Sequence, residues 1–247
     1  MIQPIILAAG KGTRMGSPLP KTLYPVAGKP MLSYIFDALS KAGNSLLPIV
    51  VVGHKGEEVK QFVGDKATCI EQTDISGTGT AAKVALSIVP EDATKVLIMY
   101  GDHPFIQPES IKAIEAAHDD AHAAITFGTV TVKDFSDWRR VFMSFGRVVR
   151  NQSGVVQEIK EYKNASEHEQ LIHEVNPGFY CVEKSWLADA LSQVERDSVT
   201  GEYYLTDIIS FALYQNKKVE TVSLAPEEAL GINSPDDVAI AESLLAQ

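Results

Sequence analysis

Residues 4–30, PIILAAGKGTRMGSPLPKTLYPVAGKP, hold the densest chemistry in the chain. Gly10, Gly12 and Gly16 alternate with Lys11, Arg14 and Lys21, directly after the apolar run Ile5-Ile6-Leu7 and the small residues Ala8-Ala9. Such a run predicts a buried β-strand. Small residues at its C-terminal end let backbone N–H groups approach a ligand and form an anion-binding concavity. The first 36 residues carry Lys11, Arg14, Lys21 and Lys29 and no acid, in a chain of net charge −10. A cationic glycine loop on an acidic protein suits a phosphorylated substrate. Two other phosphate motifs fail. G-x-G-x-x-G would need glycine where Met15 stands; Gly28-Lys29 precedes Pro30, with Leu23 where a P-loop has its first glycine.

A second cluster, Tyr100-Gly101-Asp102, follows the apolar run 95–100. A carboxylate just past a buried strand can bind a Mg²⁺ that bridges phosphates, and Gly101 leaves room for a ligand. An acid opening a Pro-containing turn is the alternative. Gln72 precedes the turn Gly77-Thr78-Gly79; its amide suits a nucleobase edge, although a polar turn opening a helix explains the same residues. His54, after Gly53, either faces the cleft or makes a structural hydrogen bond. His118 and His122 lie one helical turn apart, but HDDAH lacks the Glu of H-E-x-x-H and reads as a solvated helix end. No G-x-S-x-G nucleophile elbow is present. Trp186 and Tyr203-Tyr204 read mainly as core, Tyr204 also as a site wall.

The elements that must position these groups follow from periodicity. Between residues 4 and 130 apolar strands at 5–7, 47–52, 68–71, 95–100 and 124–130 alternate with helices at 31–42, 57–63, 80–88 and 108–118. That rhythm predicts an α/β fold: a Rossmann-like mixed, mainly parallel sheet with helices on both faces. Beyond 131, strands at 141–150, 154–159 and 174–182 suggest a smaller β-rich, substrate-facing lobe. Helices at 186–194 and 205–214, an edge strand at 219–223 and a final helix from Pro235, capped by Ser234, complete it. The expectation is one domain, 1–247, with a nucleotide-binding lobe (1–130) and a second lobe (131–247).

A chain of 247 residues, 45% hydrophobic and 22% charged, has ample material for a core. Its negative charge argues against nucleic-acid and anionic-membrane partners. No apolar run reaches the roughly 20 residues of a membrane span, and no secretory leader is visible. Cys69 and Cys181 read as reduced thiols, so a cytoplasmic protein is expected.

Nine motifs occur in order: LAAGKGTRM, PK, QxxxxGTG, YGDxP, FGR, IKEYKNA, EVNPG, GEYYLTD and GIN. Together they resemble the sugar-nucleotidyltransferases, and most closely the N-terminal uridylyltransferase domain of the bifunctional N-acetylglucosamine-1-phosphate uridylyltransferases. The resemblance implies that UTP and a sugar 1-phosphate are the substrates. By it, Leu7, Ala8, Ala9, Gly10, Gly12, Gln72, Gly77 and Thr78 would hold the nucleotide. Arg14 and Lys21 would be catalytic, and Asp102 and Asn233 would ligate Mg²⁺. Gly101, Gly146, Glu161, Asn176, Tyr204 and Thr206 would hold the sugar and its phosphate, making the second lobe the sugar-binding one. Another acceptor, another nucleoside triphosphate or a non-catalytic nucleotide-sugar sensor are the alternatives. Departures from the family pattern are Phe145 for Tyr, Pro177 for Thr, His103 for an aliphatic residue, and a longer segment at 136–145. The left-handed β-helix acetyltransferase domain of the bifunctional proteins has no counterpart in these residues. Its trimer is therefore not expected, and the oligomeric state stays open.

Overall fold

The structure, a computed structural model, describes residues 1–246. β1 (Ile2–Ala8) runs into the cationic loop, whose two 3₁₀ turns lead to a short hairpin of β2 (Pro25–Val26) and β3 (Lys29–Pro30). Then follow α1 (Met31–Ala42), β4 (Ile49–Val52), α2 (Gly56–Val63), β5 (Thr68–Glu71), α3 (Thr78–Leu86), β6 (Lys95–Tyr100), α4 (Pro108–Ala121) and β7 (Ile125–Thr131). After a 3₁₀ segment at Asp137–Ser144 come β8 (Gly146–Arg150), β9 (Val156–Lys160), α5 (Glu167–Gln170), β10 (Glu174–Asn176) and β11 (Tyr180–Glu183). The chain closes with α6 (Lys184–Gln193), α7 (Asp207–Tyr214), β12 (Val219–Ser223) and α8 (Pro235–Leu245), the last capped by Ser234 Oγ accepting from Asp237 N.

Ten strands form one mixed sheet in the order β5-β4-β1-β6-β11-β7-β10-β8-β9, with β12 on the free side of β7. β5, β4, β1 and β6 are parallel, as the strand–helix alternation predicts. β11 then inserts antiparallel between β6 and β7, and β10, β8 and β9 continue antiparallel. The side-chain period of two builds both faces. Ile5, Leu7, Val96 and Ile98 pack on one side under α3, α6 and α7; Ile6, Ala8, Leu97 and Met99 pack on the other against α1, α2 and α4. A third apolar cluster joins Met15, Val26 and Met31 to Leu230, Ile232 and Val238. It ties the cationic loop to the entry of α8, and so brings Asn233 beside residues more than 200 positions away.

Two strands expected from the sequence are corrected. The stretch 141–150 is not continuous: Asp137–Ser144 winds as 3₁₀, and β8 begins at Gly146. Arg147 explains the turn. It is fully buried, and its guanidinium donates to the carbonyls of Phe142 (3.3 Å), Met143 (2.9 Å), Phe145 (2.6 Å) and Gln170 (3.3 Å). Its faces meet the rings of Phe135 and Tyr162 at 4.6 and 5.0 Å. Only a chain that doubles back can aim so many carbonyls at one cation. The stretch 174–182 divides into β10 and β11 at Pro177, which has no N–H for a ladder, and Gly178, whose φ is 90°.

Candidate active site

The loops after β1, β5 and β6 open on the same end of the sheet, beyond the carboxyl ends of its parallel strands, where open α/β sheets bind ligands. They enclose a cleft of about 600 Å³. Leu7 and Ala8 line it from β1, Ala9, Gly10, Gly12, Arg14 and Lys21 from the loop that follows, and Gln72, Gly77 and Thr78 from the approach to α3. Asp102 and Asn233 complete it. A second cavity of about 170 Å³ adjoins it, lined by Gly146, Glu161, Asn176, Tyr204 and Thr206 together with His103 and Phe145. Thr78 and Tyr100 belong to both linings, so the cavities share a wall. Gly101 lies beneath the loop instead. Its N–H donates to Leu7 O at 2.9 Å, and a Cβ there would stand 2.8 Å from Thr22 Cγ2. The room it leaves is taken by protein. His54 is exposed.

The polar groups of the larger cavity converge on one cation. The Lys21 ammonium is ion-paired with Asp102 Oδ2 and donates to Asn233 Oδ1 at 2.6 Å. Arg14 Nη2 donates to the same Asn233 oxygen at 2.9 Å. Burial opposes the charge on Asp102, but the ammonium of Lys21 and the ring of His103 outweigh it and hold the carboxyl well below the usual carboxylate range. Two hard oxygens, one charged and one neutral, thus point at a single cationic position. That donor set fits a Mg²⁺ that fills its remaining positions with phosphate oxygens and water. Among the described residues no cluster of three or more His, Cys, Asp or Glu is arranged to hold a metal, the HDDAH segment included.

Several expected ligand contacts are committed to the protein itself. Gln72 Nε2 donates to Asp74 O (2.9 Å), Gly77 O (3.0 Å) and Thr80 Oγ1 (2.7 Å), so its amide nitrogen holds the turn rather than standing free for a base. Gly77, at φ 132°, lies against the backbone of Tyr203, where a Cβ would come within 2.4 Å of the carbonyl oxygen. The expectation that Tyr203-Tyr204 are mainly core is corrected accordingly: both are half-buried, Tyr203 as the backbone brace of this turn and Tyr204 in the wall of the smaller cavity. Asn176 Nδ2 donates to Tyr180 Oη at 2.8 Å, and its Oδ1 accepts from Gly178 N at 3.0 Å. Gly178 in turn makes room for Tyr100, whose ring a Cβ would strike at 2.2 Å. Thr206 Oγ1 donates to Glu161 Oε1 at 2.8 Å. Burial raises the Glu161 carboxyl despite that bond. Burial also pushes the hydroxyls of Tyr100 and Tyr180 up, so both stay neutral.

A profile of the MobA-like NTP transferase domain matches residues 4–198. The chain belongs to this family. The ordered motifs and the profile agree. The chain is 38% identical over 242 residues to the bifunctional protein GlmU of Heliobacterium modesticaldum, covering 98% of this chain and 51% of that protein. It is 40% identical to the GlmU of Alcanivorax borkumensis over 237 residues (94% and 49%), and 36% identical to that of Bacillus subtilis over 240 residues (97% and 50%). It therefore spans about half the length of these relatives. A Bacillus anthracis structure named for glucose-1-phosphate thymidylyltransferase shares the fold, with a TM-score of 0.74, 18% identity, and coverage of 99% of this chain and 95% of the other. No helix among the described residues of this NTP transferase domain is long and apolar enough to cross a membrane.

The sequence alone assigned no role to His103, which lines the smaller cavity, or to Arg147, which holds the carbonyls of the segment that carries Phe145. The only signal for His103 was its departure from the family pattern. Arg147 was part of the FGR motif, but only Gly146 of that motif was assigned a role.

Proposed function

We propose that this NTP transferase domain moves a uridylyl group from UTP to a sugar 1-phosphate, N-acetylglucosamine 1-phosphate being the leading acceptor, and releases pyrophosphate. The observation that carries the reading is the pair of adjoining cavities that share Thr78 and Tyr100 as a wall, the larger one lined by Arg14, Lys21, Asp102 and Asn233. On this reading the nucleoside triphosphate occupies the larger cavity and the sugar the smaller one. The acceptor phosphate then meets the α-phosphorus near Lys21. Its oxygen is already anionic at neutral pH, so no general base is needed. What the protein supplies is alignment of two anions that repel one another, and positive charge where the transferring phosphoryl group gains negative charge. Arg14 and Lys21 provide that charge. Asp102 and Asn233 would hold a Mg²⁺, which neutralises the phosphates when bound. Gln72 acts by fixing the turn that floors the nucleotide cavity. Glu161 and Tyr204 offer hydrogen bonds to the sugar hydroxyls.

The sugar side also favours a second reading, another hexose or alditol phosphate, because Phe145, Pro177 and His103 all line the smaller cavity. Pyrophosphate release, measured with Mg²⁺ for four nucleoside triphosphates crossed with a panel of sugar 1-phosphates, separates the readings. Fastest release with UTP and N-acetylglucosamine 1-phosphate supports the first. Release with a different acceptor keeps the chemistry and moves the specificity. Nucleotide binding without release for any pair overturns catalysis and leaves a sensor.

A further inference from the structure

We propose that His103 is a positioning residue that decides which oxygen of Asp102 faces the cation, and that it does so from within the wall of the smaller cavity. The inference rests on the reading of Asp102 as a metal ligand. His103 is only 5% exposed, and its Nδ1 lies 2.9 Å from Asp102 Oδ1. An ionised carboxylate only accepts hydrogen bonds, so the proton between them sits on Nδ1. That bond occupies Oδ1 and fixes the carboxylate plane. Oδ2 is left for the Lys21 ammonium, which stands where a cation would. A ligand whose second oxygen is already bonded binds metal without first losing rotamer freedom.

The ring itself is held by packing. Its centroid lies 5.7 Å from that of Tyr100, 5.6 Å from Phe145 and 5.8 Å from Phe179. On the other side Ile232 N donates to Asp102 O at 2.9 Å, and a Cβ on Gly231 would come within 2.8 Å of His103 Nε2. Nε2 has no hydrogen-bond partner, so the polar chemistry of this buried ring is spent on Asp102. An aliphatic side chain at this position, usual in the family the sequence resembles, offers Asp102 no such bond.

Mn²⁺ binding to the UTP-saturated protein without sugar phosphate, followed by electron paramagnetic resonance, tests this without turnover. His103→Val is expected to weaken Mn²⁺ binding about tenfold, the low end for loss of a partner to a metal ligand. His103→Asn places an amide N–H near the Nδ1 position, and is expected to bind Mn²⁺ to within about twofold of wild type. Both variants remove the ring from the cavity wall, so KM for the sugar phosphate rises in both. A wild-type protein that binds no Mn²⁺ with UTP overturns the metal-ligand reading of Asp102 itself. Unchanged binding in His103→Val overturns only the positioning role. So does equal weakening in the two variants, because the loss then follows ring packing rather than the hydrogen bond.

Discussion

Lys21 and Asp102 are ion-paired across the floor of the larger cavity, and Asn233 accepts a second bond from the same ammonium at 2.6 Å. The ammonium therefore stands between the two oxygens best suited to a divalent cation. On the proposed reading, ammonium and metal would compete for one place, and loading the site would require Lys21 to swing toward the incoming phosphates. Lys21→Met is expected to bind Mn²⁺ more tightly than wild type while kcat falls about 10²- to 10³-fold, the usual loss when one electrostatic stabiliser is removed. Weaker metal binding in that variant would contradict the competition. Asp102→Ala is expected to lose turnover, and substantial Mg²⁺-dependent activity in it would remove Asp102 from the metal site.

Arg147 braces the segment that ends in Phe145 and Gly146, which line the smaller cavity. Burial lowers its pKa, and among the described residues its hydrogen bonds go to carbonyl oxygens rather than to a carboxylate. Arg147→Met leaves those carbonyls without their donor, at a cost of about 2–4 kcal/mol in urea unfolding. The segment carrying Phe145 and Gly146 loosens with it. KM for the sugar phosphate should rise while KM for the nucleotide stays put; equal rises in both would show a general loss of structure.

Gly77→Ala tests the nucleotide turn. Its φ of 132° and the 2.4 Å approach of a Cβ to Tyr203 O leave no relaxed position for a methyl group. The expected result is a stability loss of about 1–3 kcal/mol and a weaker affinity for UTP by calorimetry, since the brace on α3 must open. Wild-type affinity would mean that the turn does not shape the cavity.

His118 makes stability sensitive to acid. Burial lowers its pKa to about 4, with Lys95 adding to the effect. The unfolded residue takes its proton near pH 6.5, so between there and about pH 4 the unfolded state binds more protons than the folded one. Stability on this account is complete above pH 6.5 and falls with pH through the window, by at most about 3 kcal/mol. Asp207, raised to about 6 by burial and by Glu161 and Asp197, works the other way over an overlapping range. Urea unfolding of wild type and His118→Gln from pH 4 to 7 isolates the histidine: the stability of wild type relative to the variant should fall as the pH drops through that window, with Asp207 common to both.

Local pattern was enough for much of this protein. Periodicity and apolar runs locate Met31–Ala42, Thr68–Glu71, Lys95–Tyr100 and Val219–Ser223 at the bounds observed. Spacing of glycines and cations finds the loop at residues 10–21, because a strand end and its loop are contiguous in the chain. Strand order is not a local property. Nothing around Tyr180–Glu183 says that it slots between β6 and β7, which is a matter of long-range pairing. The break at Pro177-Gly178 was legible as turn chemistry but was hidden by the apolar residues on either side. Gln72 shows a further limit: an amide near a ligand site and an amide that builds the site look alike in sequence. Only the three hydrogen bonds from its nitrogen tell them apart.

The place of β11 also bears on how the protein is made. β6 is paired with β1 on one side, and its other edge is covered by β11. During synthesis that edge stays bare until Tyr180–Glu183 has left the ribosome. Until then Val96, Leu97 and Ile98 present unsatisfied backbone groups in an apolar strand, the kind of edge that recruits strands from other chains. A nascent chain stalled anywhere between Tyr100 and Tyr180 thus leaves that apolar edge uncovered, and a fragment ending near residue 130 inherits the same exposed seam.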